Sequence, residues 1–177
     1  QSNLCCEIDL PTQPLDHIDD PSGEISLCTL AAINWGLIKD PEAFEKPAEL
    51  LVRALDELLD YQDYPVLAAE RSTMNRRPLG VGIINFAYWM AKNNMTYSEP
   101  NLHMINDWAE AWSYYLIKAS NKIAQEKGPC KLNYQTKYSK GIMPINTYKV
   151  EVDELVPHDP QMDWDELSEN LREYGIR

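Results

Sequence analysis

The chain has 177 residues, about the length of one domain, and a hydrophobic share of 44% is enough to bury a core. Its 28 acidic residues against 16 basic ones leave a net charge of −12, which excludes the basic footprint a nucleic-acid polymer demands. No apolar run approaches the roughly 18 residues of a membrane span, the N-terminus lacks a basic-then-apolar leader, and four cysteines suit a reducing compartment, so a cytoplasmic protein is expected.

The opening stretch, Gln1-Ser2-Asn3-Leu4-Cys5-Cys6-Glu7-Ile8, reads as a strand. Side chains alternate faces along a strand, so Asn3, Cys5 and Glu7 share one face while Leu4, Cys6 and Ile8 share the packing face. An amide, a thiol and a carboxylate in a row form the layout of a site. A poorly solvated thiol keeps its proton, and a neighbouring carboxylate pushes the same way, which suits hydrogen-atom chemistry. Nucleophilic attack would want a histidine or cation alongside, and His17, His103 and His158 are not spaced to serve Cys5. The same spacing is also what a buried structural cysteine would give.

A loop with Pro11, Pro14 and Asp19-Asp20-Pro21-Ser22-Gly23 follows. Residues 24–34 then read as a second strand carrying Cys28, either one half of a redox pair or a packed, inert thiol. Asp40-Pro41-Glu42 starts a helix to about residue 60, with Pro47 dividing an entry turn from the main segment. Arg71, Arg76 and Arg77 precede Gly80-Val81-Gly82; they could hold a phosphate at a helix start or pair with this acidic chain. Residues 79–92 are apolar nearly all round, which predicts a buried helix.

The longest helix is predicted over 101–127, with Ile105, Trp108, Ala109, Trp112, Leu116, Ala119 and Ile123 on its apolar stripe. Trp108, Trp112, Tyr114 and Tyr115 read as packing. A last helix is capped by Asp163 and closed by Gly175. Cys130 follows a helix end, and no Cys-x-x-Cys or His-x-x-x-His spacing supports zinc. Helices dominate, with the strands near the N-terminus, and an isolated strand pair is not a stable sheet. The strands are therefore expected to need partners that the chain does not contain.

Ser2-Asn3-Leu4-Cys5-Cys6-Glu7-Ile8 closely resembles the active-site strand of the large (alpha) subunit of aerobic, class I ribonucleotide reductase. The resemblance continues through Gly23-Glu24-Ile25-Ser26-Leu27-Cys28-Thr29-Leu30, Arg53-Ala54-Leu55-Asp56 and Leu58-Leu59-Asp60-Tyr61-Gln62-Asp63-Tyr64-Pro65. Arg76-Arg77-Pro78-Leu79-Gly80-Val81-Gly82-Ile83-Ile84-Asn85-Phe86-Ala87 and Tyr138-Ser139-Lys140-Gly141-Ile142-Met143-Pro144 extend it over essentially the whole chain.

The fold this implies is α/β: a segment of a ten-stranded α/β barrel, largely helical here, with short barrel strands near the N-terminus. Residues 1–177 would be a single piece of the catalytic barrel domain. Residues 1–10 would form the finger-loop strand, 24–34 the strand with the redox cysteine, and 40–177 mainly helices and loops.

The resemblance also implies roles. Cys5 matches the thiyl-radical cysteine that takes hydrogen from the ribose 3′ carbon, Glu7 the base for the 3′ hydroxyl, and Asn3 the amide that binds the ribose hydroxyls. Cys28 matches one member of the redox dithiol. Its partner cysteine, the effector region, the substrate-phosphate loop and the radical-relay tyrosines have no match in this chain, and Cys6 stands where an apolar residue is more usual. The chain is thus expected to be inactive alone and to bind no cofactor. Its implied partners are the remaining segments of the large subunit, the small (beta) subunit with its radical-bearing metallocofactor, a nucleoside diphosphate substrate and a thioredoxin- or glutaredoxin-type reductant. Nucleotide effectors would bind elsewhere in the large subunit. Two rivals remain open: a glycyl-radical lyase using Cys5 with Cys6, and a non-catalytic scaffold piece.

Overall fold

The computed structural model describes residues 10–157 and 159–177. Except for Leu10, the predicted strand over 1–10, with Asn3, Cys5, Cys6 and Glu7, lies outside the described residues, as does His158.

Two parallel strands organise the described part. β1 (Thr29–Asn34) pairs with β2 (Leu79–Ile84) in the register Thr29↔Leu79 to Asn34↔Ile84. Parallel neighbours need a long crossover. Here it is two helices, α1 (Glu45–Tyr61) and α2 (Leu67–Arg76). After β2 come α3 (Phe86–Lys92), α4 (Leu102–Lys127) and α5 (Trp164–Tyr174), with short 3₁₀ turns between the last two.

The helix starts follow their caps. Asp40 accepts a hydrogen bond from the Ala43 amide at 3.0 Å, and a 3₁₀ turn over Pro41–Phe44 runs directly into α1. Pro47 falls in the first turn of α1, where its missing N–H costs nothing. Asn101 caps α4 through the Met104 amide at 3.1 Å, and Asp163 caps α5 through the Glu166 amide at 2.9 Å.

The strands fall partly elsewhere than expected. The ladder of β1 covers 29–34; upstream, Glu24 makes only an isolated antiparallel bridge with Gln13. The buried helix expected over 79–92 is instead β2 followed by α3, so a strand lies in the middle of the chain. The physical reason is that Gly80, Val81, Gly82, Ile83 and Ile84 are weak helix formers, and Asn85 at φ 62° breaks the chain direction before α3. An apolar run can be a buried strand of a parallel sheet as readily as a buried helix.

The core lies between the sheet, α1 and α4. Trp35, Phe44, Trp89 and Trp108 pack mostly edge to face, with ring centroids 4.9–5.8 Å apart. Val52 of α1 meets Ala119 and Ile123 of α4 in a second layer, and Tyr114, Trp164, Leu167 and Leu171 form a third under α5. The apolar stripe of α4 is thus packing surface, including its tryptophans. Among the described residues, no helix is long and apolar enough to cross a membrane.

Glu110 is the buried charge that ties α5 to α4. Its carboxylate accepts from the Gln161 amide at 2.9 Å, the Met162 amide at 3.0 Å and the Trp164 indole N–H at 2.8 Å. Glu110→Ala is expected to cost about 2–3 kcal/mol, because it strands these three donors. It should also shift Trp164 fluorescence to the red, and an unchanged denaturation midpoint and spectrum would refute the tie.

Candidate active site

Cys28 stands immediately before β1 and is half-buried. Its placement is set by the preceding segment, which α2 holds like a clamp. The Arg71 guanidinium donates to the Gly23 carbonyl at 2.8 Å, Arg76 pairs with Glu24 at 2.9 Å, and the Ile25 amide donates to the Ala68 carbonyl at 3.2 Å. The Ser26 hydroxyl donates to the Pro11 carbonyl. Asp20 closes the loop ahead of this: it accepts from the Asp16 amide at 2.9 Å and from the Ser22 amide at 2.7 Å, which hold its carboxyl well below the usual range.

Strand alternation then sorts the sheet into two chemically different faces. Thr29, Ala31 and Ile33 share one face with Leu79, Val81 and Ile83. This is the packing face, where Ile33 and Val81 join the aromatic core and Leu79 packs on Val52 and Ile123. The other face carries Leu30, Ala32 and Asn34 beside Gly80, Gly82 and Ile84, with Cys28 at its upstream end. It is open, with Leu30 63% and Ile84 51% exposed. Cys28 therefore belongs to a face, with Gly80, Gly82 and Ala32, that the described helices leave open.

A cavity of about 610 Å³ lies elsewhere. Leu79 and Val81 line it from the packing face, together with Cys130, Trp112 and Tyr138, whereas Cys28, Gly80 and Gly82 do not. Cys130 is 5% exposed, and burial raises its thiol pKa, so it is a poor nucleophile in the folded chain.

The three arginines ahead of β2 are all committed inside the protein, and they precede a strand rather than a helix. Arg76 and Arg77 pair with carboxylates of this acidic chain, and Arg71 is held by the Gly23 carbonyl. Arg77 is the centre of this pairing. This residue adopts the left-handed conformation at φ 48°, uncommon for a bulky side chain. Its guanidinium donates to Asp56 Oδ1 at 2.5 Å, to the Asp56 carbonyl at 2.6 Å, and to both Asp60 oxygens at 2.8 Å. Arg177 donates to the second Asp56 oxygen at 2.8 Å. Burial opposes the charge on Arg77, but its hydrogen bonds to Asp60 and Asp56 outweigh this and raise its pKa; the same bond holds the Asp60 carboxyl below its ordinary value. The network fixes where α2 ends and β2 begins, and so where Gly80 sits against Cys28. The sequence reading missed Asp56 and Asp60 as partners of Arg77. Their spacing of four on one helix, in a chain with adjacent arginines, was the available signal.

Of the predicted site residues, the structure thus places Cys28 alone; Asn3, Cys5 and Glu7 lie outside the described residues. Among the described residues no group of three His, Cys, Asp or Glu side chains is arranged to hold a metal ion.

Comparison with known proteins gives the context for this face. Residues 1–177 match the family model described as the ribonucleotide reductase barrel domain. The alpha subunit of ribonucleoside-diphosphate reductase from Haemophilus influenzae is 51% identical over 178 residues, covering 100% of this chain and 24% of that protein. The alpha subunit of ribonucleoside-diphosphate reductase 1 from Escherichia coli is 49% identical, covering 100% of this chain and 23% of the relative. That from Enterobacteria phage T4 is 43% identical over 182 residues, again covering 23% of the relative. The chain therefore spans less than a quarter of the length of these curated relatives. With every residue matched and the strands and helices of a barrel segment in place, the chain belongs to the ribonucleotide reductase barrel-domain family.

Proposed function

We propose that this chain supplies the catalytic strand and one redox thiol for the radical reduction of ribonucleoside diphosphates to deoxyribonucleoside diphosphates, acting when assembled with the remaining segments of the large subunit. The observation that carries this reading is the match of residues 1–177 to the family, at 49–51% identity to alpha subunits. In this reading Cys5, as a thiyl radical, removes the 3′ hydrogen atom, Glu7 takes the 3′ hydroxyl proton and Asn3 holds the ribose hydroxyls. The 2′ hydroxyl leaves as water, a C–H bond replaces the C–O bond, two thiols supply the two electrons and close to a disulfide, and Cys5 returns the hydrogen atom to the 3′ carbon, which restores its thiyl radical. Cys28 is one of those thiols. A thioredoxin- or glutaredoxin-type dithiol then reopens the disulfide.

The radical-bearing metal group belongs, in this reading, to the separate small subunit. The described residues of this chain offer no ligand set that fits it, and no step here runs through it. A cytoplasmic setting agrees with the need for reduced thiols. The whole-chain match favours this reading over a glycyl-radical lyase or an inert scaffold piece.

The test is reconstitution. The chain is mixed with the other large-subunit segments and the small subunit, and deoxynucleotide formation is assayed with a dithiol reductant. Turnover that depends on this chain is the expected result. A stable, complete complex that makes no deoxynucleotide would overturn the proposal.

A further inference from the structure

β2 carries two glycines on the face that bears Cys28, and their surroundings differ. A Cβ added to Gly82 would meet only the Ala31 carbonyl oxygen and Ala32 Cβ, both at 3.9 Å, which is ordinary contact. A Cβ added to Gly80 would lie 2.8 Å from Cys28 Sγ and 2.5 Å from Leu30 Cδ2. Leu30 is 63% exposed, so its outer methyl swings aside into open space. Cys28 Sγ is attached directly to its own Cβ and moves only by leaving its rotamer or by shifting the strand. The contact that yields only at a cost is therefore the one to sulfur. Register produces it: Leu30 is the partner of Gly80, and Cys28 precedes Leu30 by two residues on the same face.

We infer that Gly80 is a positioning residue for the Cys28 thiol: its bare backbone is the floor on which Sγ rests, and any side chain there displaces the sulfur. The inference rests on the proposed role of Cys28 as a redox thiol. Disulfide closure is geometrically strict, with an S–S bond of about 2.05 Å and a dihedral near ±90°, so a displaced Sγ changes how readily the bond forms and is reduced. The network around Arg77 serves the same end from a distance, since it sets the entry of β2 and with it the level of Gly80 under Cys28.

Gly82 supplies the control. Gly→Ala changes the backbone entropy at both positions alike, and only at position 80 does it press on sulfur. In the full large subunit, Gly80→Ala is expected to shift the equilibrium of the Cys28 disulfide with a dithiol reductant by about tenfold or more, and Gly82→Ala by less than about twofold. Alkylation followed by peptide mass spectrometry reads the Cys28 state, and slow alkylation of buried Cys130 in the same samples reports that the fold is intact.

If Gly80→Ala destabilises the protein too far for that measurement, the thermal cycle with Cys28→Ala decides. Removing the sulfur should at least halve the loss of Tm caused by Gly80→Ala. An unshifted disulfide equilibrium in a folded Gly80→Ala protein overturns the inference, as does an equal Tm loss with and without the sulfur. If the parent enzyme forms no disulfide at Cys28 on turnover, the redox reading fails instead, and the thermal cycle still judges the contact by itself.

Discussion

Cys5→Ser is expected to abolish deoxynucleotide formation in the assembled enzyme, lowering turnover by more than about 10⁴-fold, or over about 5 kcal/mol of barrier. The substitution changes the side-chain shape little, so binding and assembly should survive. What it removes is a weak S–H bond. A serine O–H is far stronger, and its oxygen radical is too high in energy to be generated reversibly in place of a thiyl. In the proposed reading a strand over residues 1–8 would put Asn3 and Glu7 on the same face as Cys5, so that one sugar could meet all three groups. Substrate affinity of the variant, measured by equilibrium binding, should stay within about threefold of the parent. Turnover that persists in Cys5→Ser would remove the radical assignment.

The largest stability effect is expected at Asp56. Asp56 is 1% exposed, and its carboxylate receives Arg77 on one oxygen and Arg177 on the other. Asp56→Ala leaves the Arg77 guanidinium in a buried position with Asp60 as its remaining carboxylate partner, and leaves Arg177 with only a long 3.9 Å approach to Asp60. Breaking such a buried pair from one side costs about 3–5 kcal/mol, a large part of the roughly 5–15 kcal/mol by which a domain is stable. The cost comes from the stranded cation more than from the lost attraction. Chemical denaturation of the parent and variant measures it. A loss under about 1 kcal/mol would mean that Arg77 finds solvent easily and that the network does not fix the α2–β2 junction.

Helices α1, α4 and α5 were legible from the sequence because their ends are written in local chemistry, whereas α2, which follows Val66 with no side-chain cap, was not. Asp40-Pro41, Asn101 and Asp163 each satisfy a free amide in the first turn, as their residue types require. β2 was not legible. Gly80 to Ile84 is apolar on every side, so periodicity carries no signal that separates a strand from a buried helix. Cys28 could be singled out by alternation and motif, whereas the role of Gly80 depends on the register of two strands far apart in sequence. The arginines offered two readings, and only the placement of Glu24, Asp56 and Asp60 around them decided between a phosphate and an internal partner. The roles of Asn3, Cys5 and Glu7 rest on sequence pattern and family resemblance.

The most direct measurement is the thiol state of Cys28 after one turnover. The assembled enzyme, fully reduced and then freed of external dithiol, is given substrate, quenched with an alkylating agent and mapped by mass spectrometry. Deoxynucleotide should appear in step with loss of alkylatable Cys28 to a disulfide, while Cys130 remains a thiol. Product formed with Cys28 still fully reduced would contradict the account.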